Sequence, residues 1–263
     1  METSPPNVLW IMADQLRHQG LACNGDPNAR TPNIDRLAAE GVACQTAVSQ
    51  YPVCMPFRAG LVTGQYAHVH GLRVHGDLLA PGRRTIAHAF REAGYRTSYV
   101  GKLHLASTNS NWTTGEEFWV HPSMRAGFED FFGFDISNHY YNTHYCTGDI
   151  CRGIRIEGHQ TDGLTDITLE YLSGTALRSG EPWFHVISYE APHPGGGSGV
   201  PQRRIEGGPD DQPAPQLAVF NRRAALQIPG VQLHAPELGG ARLPDAHATL
   251  LAQPHTGRPQ PPE

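Results

Sequence analysis

The chain has 263 residues, with 25 acidic and 20 basic side chains and a formal net charge of −5. That length permits one α/β domain with an additional segment, and the acidic balance lacks the basic face that a nucleic-acid partner requires. No run of about eighteen apolar residues is present to span a bilayer, and the N-terminus lacks the basic region and cleavage site of a secretory signal. The expectation is a cytoplasmic protein with reduced thiols and with no membrane or nucleic-acid partner.

In chain order, Asn7-Val8-Leu9-Trp10-Ile11-Met12-Ala13-Asp14-Gln15 is a short apolar run closed by a carboxylate, which reads as a buried parallel strand. It delivers Asp14 and Gln15 at its C-terminal end, where open α/β sheets place ligands. A carboxylate and a side-chain carbonyl are hard oxygen donors suited to Ca²⁺, Mn²⁺ or Mg²⁺. Thr31 to Gly41 has a threonine cap, proline at the first helical position and glycine at the end, the signature of a short scaffold helix.

The most informative segment is Cys54-Met55-Pro56-Phe57-Arg58-Ala59-Gly60-Leu61-Val62-Thr63-Gly64. It sets a cysteine where a helix should begin, among unpaired backbone N–H groups and the positive end of the dipole. Arg58, one turn on, can fork onto an oxyanion. The spacing is too short for a cysteine-dependent phosphatase, in which five residues intervene between Cys and Arg against three here. His68, His70 and His75 follow, and a loop shaping a pocket suits them better than a closed His site, which would favour Zn²⁺.

Thr85 to Tyr95 has apolar residues at helical spacing, and the strand Thr97-Ser98-Tyr99-Val100 then runs into Gly101-Lys102-Leu103-His104. Lys102 is the only lysine in the chain. Residues 109 to 160 hold Trp112, Trp119, an aromatic run from Phe128 to Phe134, Tyr140 and Tyr141; they could line a pocket or cover the sheet. Cys146 and Cys151 could pair or hold half a metal site, although an isolated pair is more often two free thiols. From Asp162 to about Leu177 an amphipathic helix is expected, and Trp183 to Tyr189 is a buried strand ending in Glu190-Ala191-Pro192-His193-Pro194.

Together these segments resemble the sulfatase family of the alkaline phosphatase superfamily. Cys-x-Pro-x-Arg followed by Leu-x-Thr-Gly is similar to its signature, with Met55 and Phe57 where small residues are usual. Asp14-Gln15, Thr31 to Gly41, Thr63 to Gly71, Gly101-Lys102-x-His104 and Pro192-His193 match further family elements in order; Gly127 to Gly133 resembles an insert read as packing. The Asp-Gln form is that of choline-sulfatase-like and phosphonate-monoesterase-like members.

The resemblance implies an alkaline-phosphatase-like mixed sheet flanked by helices. It also implies a formylglycine made from Cys54 by a formylglycine-generating enzyme, and a divalent metal, Ca²⁺ or Mn²⁺ with Mg²⁺ as a third candidate, near Asp14, Gln15 and residue 54. Hydrated formylglycine would attack the sulfur of a small-molecule sulfate ester. Arg58 and Lys102 would offset charge on its oxygens, His193 would protonate the departing alcohol, and His104 would help expel sulfate. The same apparatus would serve a phosphonate monoester hydrolase or phosphodiesterase.

Past residue 194 the character changes. Half of the 22 prolines lie beyond Gly195, but none of the nine tyrosines, four tryptophans, five cysteines or four methionines does. Such a segment buries too little apolar surface to offset its ordering entropy. Residues 1–194 are therefore read as an incomplete catalytic domain, and residues 195–263 as a disordered tail or the product of a shifted reading frame, with a weak helical patch at Leu217 to Ile228. The family's second metal pair, Asp followed by Asn or His before Gly, is absent; Asp210, Asp211 and Asp245 are poor substitutes. An inactive fragment is thus the rival reading.

Overall fold

The computed structural model describes residues 5–74, 76–106, 119–137, 139–149, 153–193 and 246–252. The strands are β1 (Asn7–Ala13), β2 (Arg96–Lys102), β3 (Asp130–Phe134), β4 (His144–Tyr145), β5 (Ile154–Arg155), β6 (Trp183–Tyr189) and β7 (Ala246–Ala252). Five of them form one sheet in the order β3-β2-β6-β1-β7, parallel throughout. The antiparallel component is a separate two-stranded ribbon of β4 and β5. The main helices are α1 (Pro32–Glu40), α2 (Cys54–Thr63), α3 (Ala67–His70), α4 (Ile86–Glu92) and α5 (Gln160–Tyr171). Among the described residues no helix is long and apolar enough to cross a membrane.

Alternation along β1 splits the core. Leu9, Ile11 and Ala13 pack with Leu164, Tyr171 and Leu172 from α5 and the turn after it. Trp10 and Met12 pack on the other face with Met55, Ala59 and Val62 of α2 and Ala87 of α4. Every residue of β6 is buried, as expected of a strand with parallel neighbours on both sides and helices on both faces. Each fully buried Leu, Ile or Phe here contributes on the order of 1.5–3 kcal/mol of transfer free energy.

Several elements depart from the sequence expectations. The last four residues of the segment read as packing, Gly127 to Gly133, lie in β3, which pairs in parallel with β2 and buries Phe131 on one face of the sheet and Phe134 on the other. Thr31 precedes α1 but does not cap it: its hydroxyl donates to Asp35 Oδ1 at 2.7 Å and accepts from Ala22 N–H. The helix expected from Asp162 to Leu177 is regular from Gln160 to Tyr171 and then widens into a π-turn, Leu172–Ala176. Seven residues of the tail form β7, paired with β1 from Asn7 to Ala13. Ala246–Ala252 contains neither proline nor glycine and can lie on a strand edge. Cys146 is buried, its thiol donating to Gly133 O at 3.3 Å and its backbone bridging to the same residue. His75, Trp112, Cys151, Pro194, the patch Leu217 to Ile228, Asp210, Asp211 and Asp245 lie outside the described residues.

Candidate active site

Strand register brings the site together. Ala13 pairs with Tyr189 and Gly101 with Ser188, so Asp14, Glu190 and Lys102 emerge nearly level at the carboxyl edge of β1, β6 and β2. Asp14 N–H extends the ladder by donating to Tyr189 O at 3.1 Å. Gly101 makes the close approach possible: its φ is +98°, and a Cβ there would lie 2.2 Å from Ser188 O.

Four buried charged side chains occupy this edge. Lys102 Nζ lies 2.8 Å from Asp14 Oδ2 and 3.2 Å from Glu190 Oε1, with all three side chains fully buried. Arg58 rises from α2, donating Nη2 to Asp14 Oδ2 at 3.3 Å and Nη1 to Lys102 O at 2.7 Å and Ser188 Oγ at 2.8 Å. Burial pushes the Asp14 carboxyl up, but Lys102, Arg58 and His193 outweigh it and hold the group well below the usual carboxylate range. Burial likewise works against charge on Lys102, and Asp14 with Glu190 reverses that, keeping the ammonium charged. Two cations and two carboxylates sum to zero, which is how their burial is tolerated.

Around this quartet sit the other predicted residues. Cys54 is the first residue of α2 and half-buried, within electrostatic reach of Lys102, Asp14 and Arg58. Burial raises its thiol, with Lys102 and Arg58 pulling the other way, and Asp14 adding to the rise. Pro56 fits the first turn, where an N–H would have no intrahelical acceptor. His193 follows β6 in a turn closed by its N–H to Glu190 O at 3.0 Å, and Tyr140 OH donates to its carbonyl. His104 is buried at φ +53°, its N–H on Asp135 O at 2.8 Å. Gln15 also takes a left-handed backbone, φ +56°, and such conformations in non-glycine residues cluster at functional sites.

Arg58 therefore stands where the sequence placed it but spends its Nη1 fork on protein acceptors, as a brace beneath Asp14. The sequence reading assigned no role to Glu190 or Asp135. Asp135 Oδ1 accepts Leu105 and Ala106 N–H, each at 2.8 Å, which fixes the loop carrying His104. The signal was present, since Asp135 directly follows β3 and Glu190 directly follows β6 as Asp14 follows β1. His70 is buried and accepts Leu72 N–H, while His68 stacks on Tyr66.

For the implied divalent cation, the donor set fits as far as it goes. Asp14 Oδ1 is buried with no hydrogen-bond partner, while Oδ2 takes Lys102 and Arg58, so one hard oxygen is left for a cation. No group of three or more His, Cys, Asp or Glu that could hold a metal occurs among the described residues.

The family model for sulfatases matches residues 6–225, across the fold and site just described and past Pro194. The chain belongs to the sulfatase family, within the alkaline phosphatase superfamily. An ulvan-active sulfatase from Formosa agariphila is 32% identical over 242 residues, covering 89% of this chain and 45% of that protein. The structure of BT4656 in complex with its substrate D-glucosamine-2-N,6-O-disulfate superposes with a TM-score of 0.60 at 25% identity, covering 72% of this chain and 35% of that one. The phosphonate monoester hydrolase of Agrobacterium radiobacter shares the fold, with a TM-score of 0.52 at 24% identity over 72% of this chain and 41% of that one. This chain thus spans less than half the length of each.

Proposed function

We propose that this chain carries the nucleophile-bearing half of a sulfuric ester hydrolase that converts a sulfate ester and water into an alcohol and sulfate. The observation that carries the reading is Cys54 at the start of α2, in electrostatic contact with Asp14, Lys102 and Arg58. A thiol raised by burial is a poor thiolate nucleophile at neutral pH. The position suits chemistry in which Cys54 is first oxidised to formylglycine, and that group would supply the nucleophile. The reading includes modification by a formylglycine-generating enzyme before folding, since Met55, Pro56 and Arg58 of the segment are buried afterwards.

Asp14 Oδ1 and the Gln15 side-chain carbonyl would hold a divalent cation, Ca²⁺ or Mn²⁺ ahead of Mg²⁺, which would supply Lewis-acid polarisation of the ester oxygens. Lys102 orients the sulfuryl oxygens, Arg58 braces Asp14 and the end of β2, and His104 would help expel sulfate. His193, anchored through its carbonyl and N–H, donates the proton to the leaving alcohol. Because the quartet sums to zero, the cation supplies the surplus positive charge, which suits a monoanionic sulfate ester or phosphonate monoester better than a dianionic phosphate monoester. The Asp14-Gln15 pair keeps phosphonate monoester hydrolysis as the second reading.

Mass spectrometry of the peptide around Cys54 from native cells should show the aldehyde. Purified chain given each divalent metal should turn over aryl sulfate faster than aryl phosphonate. A free thiol together with no metal-dependent turnover would make the chain an inactive sulfatase portion.

A further inference from the structure

Glu190 is buried against Lys102 and has no part in the reaction proposed above. Its Oε1 faces Lys102 Nζ at 3.2 Å and accepts Ser137 N–H at 3.4 Å, and its Oε2 accepts Gln160 Nε2 at 2.9 Å. Gln160 Nε2 also donates to Thr143 Oγ1 at 2.9 Å, and Thr143 Oγ1 donates to His139 O at 2.6 Å. The amide orientation of Gln160 is therefore fixed by two acceptors. Glu190 O in turn accepts His193 N–H at 3.0 Å and Tyr140 OH at 3.4 Å.

We infer that Glu190 is a positioning residue, whose side chain fixes the ammonium of Lys102 while its backbone sets the turn that presents His193. The inference rests on the sulfatase reading for its catalytic consequence, but not for its geometry. Lys102 has two anionic partners, and Asp14 is the one a cation would draw on. Glu190 is then the partner that keeps the ammonium in place, and Gln160 keeps Glu190 from turning away. A cation on a flexible four-carbon stem needs such a hold to act at a defined point.

The chain's single lysine makes this testable without turnover. In protein labelled with ¹⁵N-lysine there is one side-chain ammonium signal, expected to be dispersed and slow to exchange with water. Glu190→Gln removes the charge and sets its amide against the Gln160 amide. The paired change Glu190→Gln with Gln160→Glu restores a donor–acceptor contact and leaves the charge one hydrogen bond farther from Lys102. In both, the ammonium signal should shift and exchange at least about tenfold faster, while near-ultraviolet dichroism shows the paired variant folded. If Glu190→Gln alone does not fold, the paired variant is the one read. An unchanged signal in a folded variant, or an unprotected signal in the parent protein, overturns the inference. Where the parent turns over aryl sulfate, kcat should fall by about 10² in both variants with KM moved less than about threefold. Absence of turnover in the parent defeats the sulfatase reading and leaves the ammonium signal to decide the role of Glu190.

Discussion

β2 carries an ion pair at each end, and the two are built differently. At its start Arg96 donates Nε to Asp130 Oδ2 at 2.7 Å and Nη2 to Oδ1 at 3.3 Å, and Tyr171 OH donates to Oδ2 at 2.6 Å. That pair is partly open to water, with the side chains 33% and 24% exposed. At its other end Lys102 meets Asp14 and Glu190 with none of the three exposed. The first ties β2 to β3 and α5 where solvent screens the charges; the second concentrates charge where parallel sheets hold ligands. Charge is buried at the end where chemistry is proposed and left wet at the end where only packing is at stake.

The largest expected effect breaks the buried end. Lys102→Ala leaves two carboxylates in a site built to neutralise them, and should cost about 3–5 kcal/mol in a denaturant titration. Turnover of aryl sulfate should disappear as well. A loss below about 1 kcal/mol would mean that water reaches Asp14 and Glu190 and that the contrast between the two ends is false.

A pH experiment sharpens the other half. His185, level with Ser98 in the middle of β6 and stacked on Tyr171, is held by Ser98 Oγ at 2.7 Å and Thr168 Oγ1 at 3.3 Å. Burial pushes its pKa from the usual 6.5 down to about 3, with Asp130 opposing weakly. The unfolded chain therefore binds a proton that the folded chain refuses between those values. This contribution to stability is complete above pH 6.5 and is lost as pH falls towards 3. His185→Gln should flatten the stability-against-pH curve across that window while leaving the Lys102 effect unchanged. A curve as steep as the parent's would assign the acid sensitivity to the carboxyl edge.

Third in size is Arg96→Ala. Its bidentate geometry is good, but partial exposure and screening limit the expected loss to about 1 kcal/mol, smaller in high salt. A loss equal to that of Lys102→Ala would show that exposure does not separate the two ends.

The strands that build the site were legible because each is a short apolar run closed by a polar residue. The run at Trp183 to Tyr189 has the bounds that the structure gives, and the run opening at Asn7 becomes a strand that stops at Ala13, just before its carboxylate. Cys54, Arg58 and Lys102 could be read because rare residue types recur at fixed spacings. What could not be read was pairing across the sheet. Glu190 and Asp135 look like ordinary strand-end acids until the register sets one beside Lys102 and the other under the loop of His104. Phe131 to Phe134 looked like packing because an aromatic run shows no period distinguishing an edge strand from a covering loop.

The smallest expected change in stability is also the one that separates fold from function. Cys54 is half-buried at the first position of α2, where the helix takes its first carbonyl acceptor from Val53, through Phe57 N–H at 2.9 Å. Cys54→Ser keeps that backbone and nearly the same volume, so stability should move by less than about 0.5 kcal/mol. The quartet's hydrogen bonds and ion pairs do not run through the thiol, since Lys102 and Arg58 make theirs with Asp14, Glu190, Ser188 and the Lys102 carbonyl. Under the proposed function the same change should abolish turnover, because a hydroxyl in that position does not become the aldehyde through thiol oxidation. Calorimetry and an aryl sulfate assay on the one variant therefore separate two possibilities. Intact stability with lost turnover places chemistry at the start of α2 and structure in the quartet beneath it; retained turnover would move the nucleophile elsewhere.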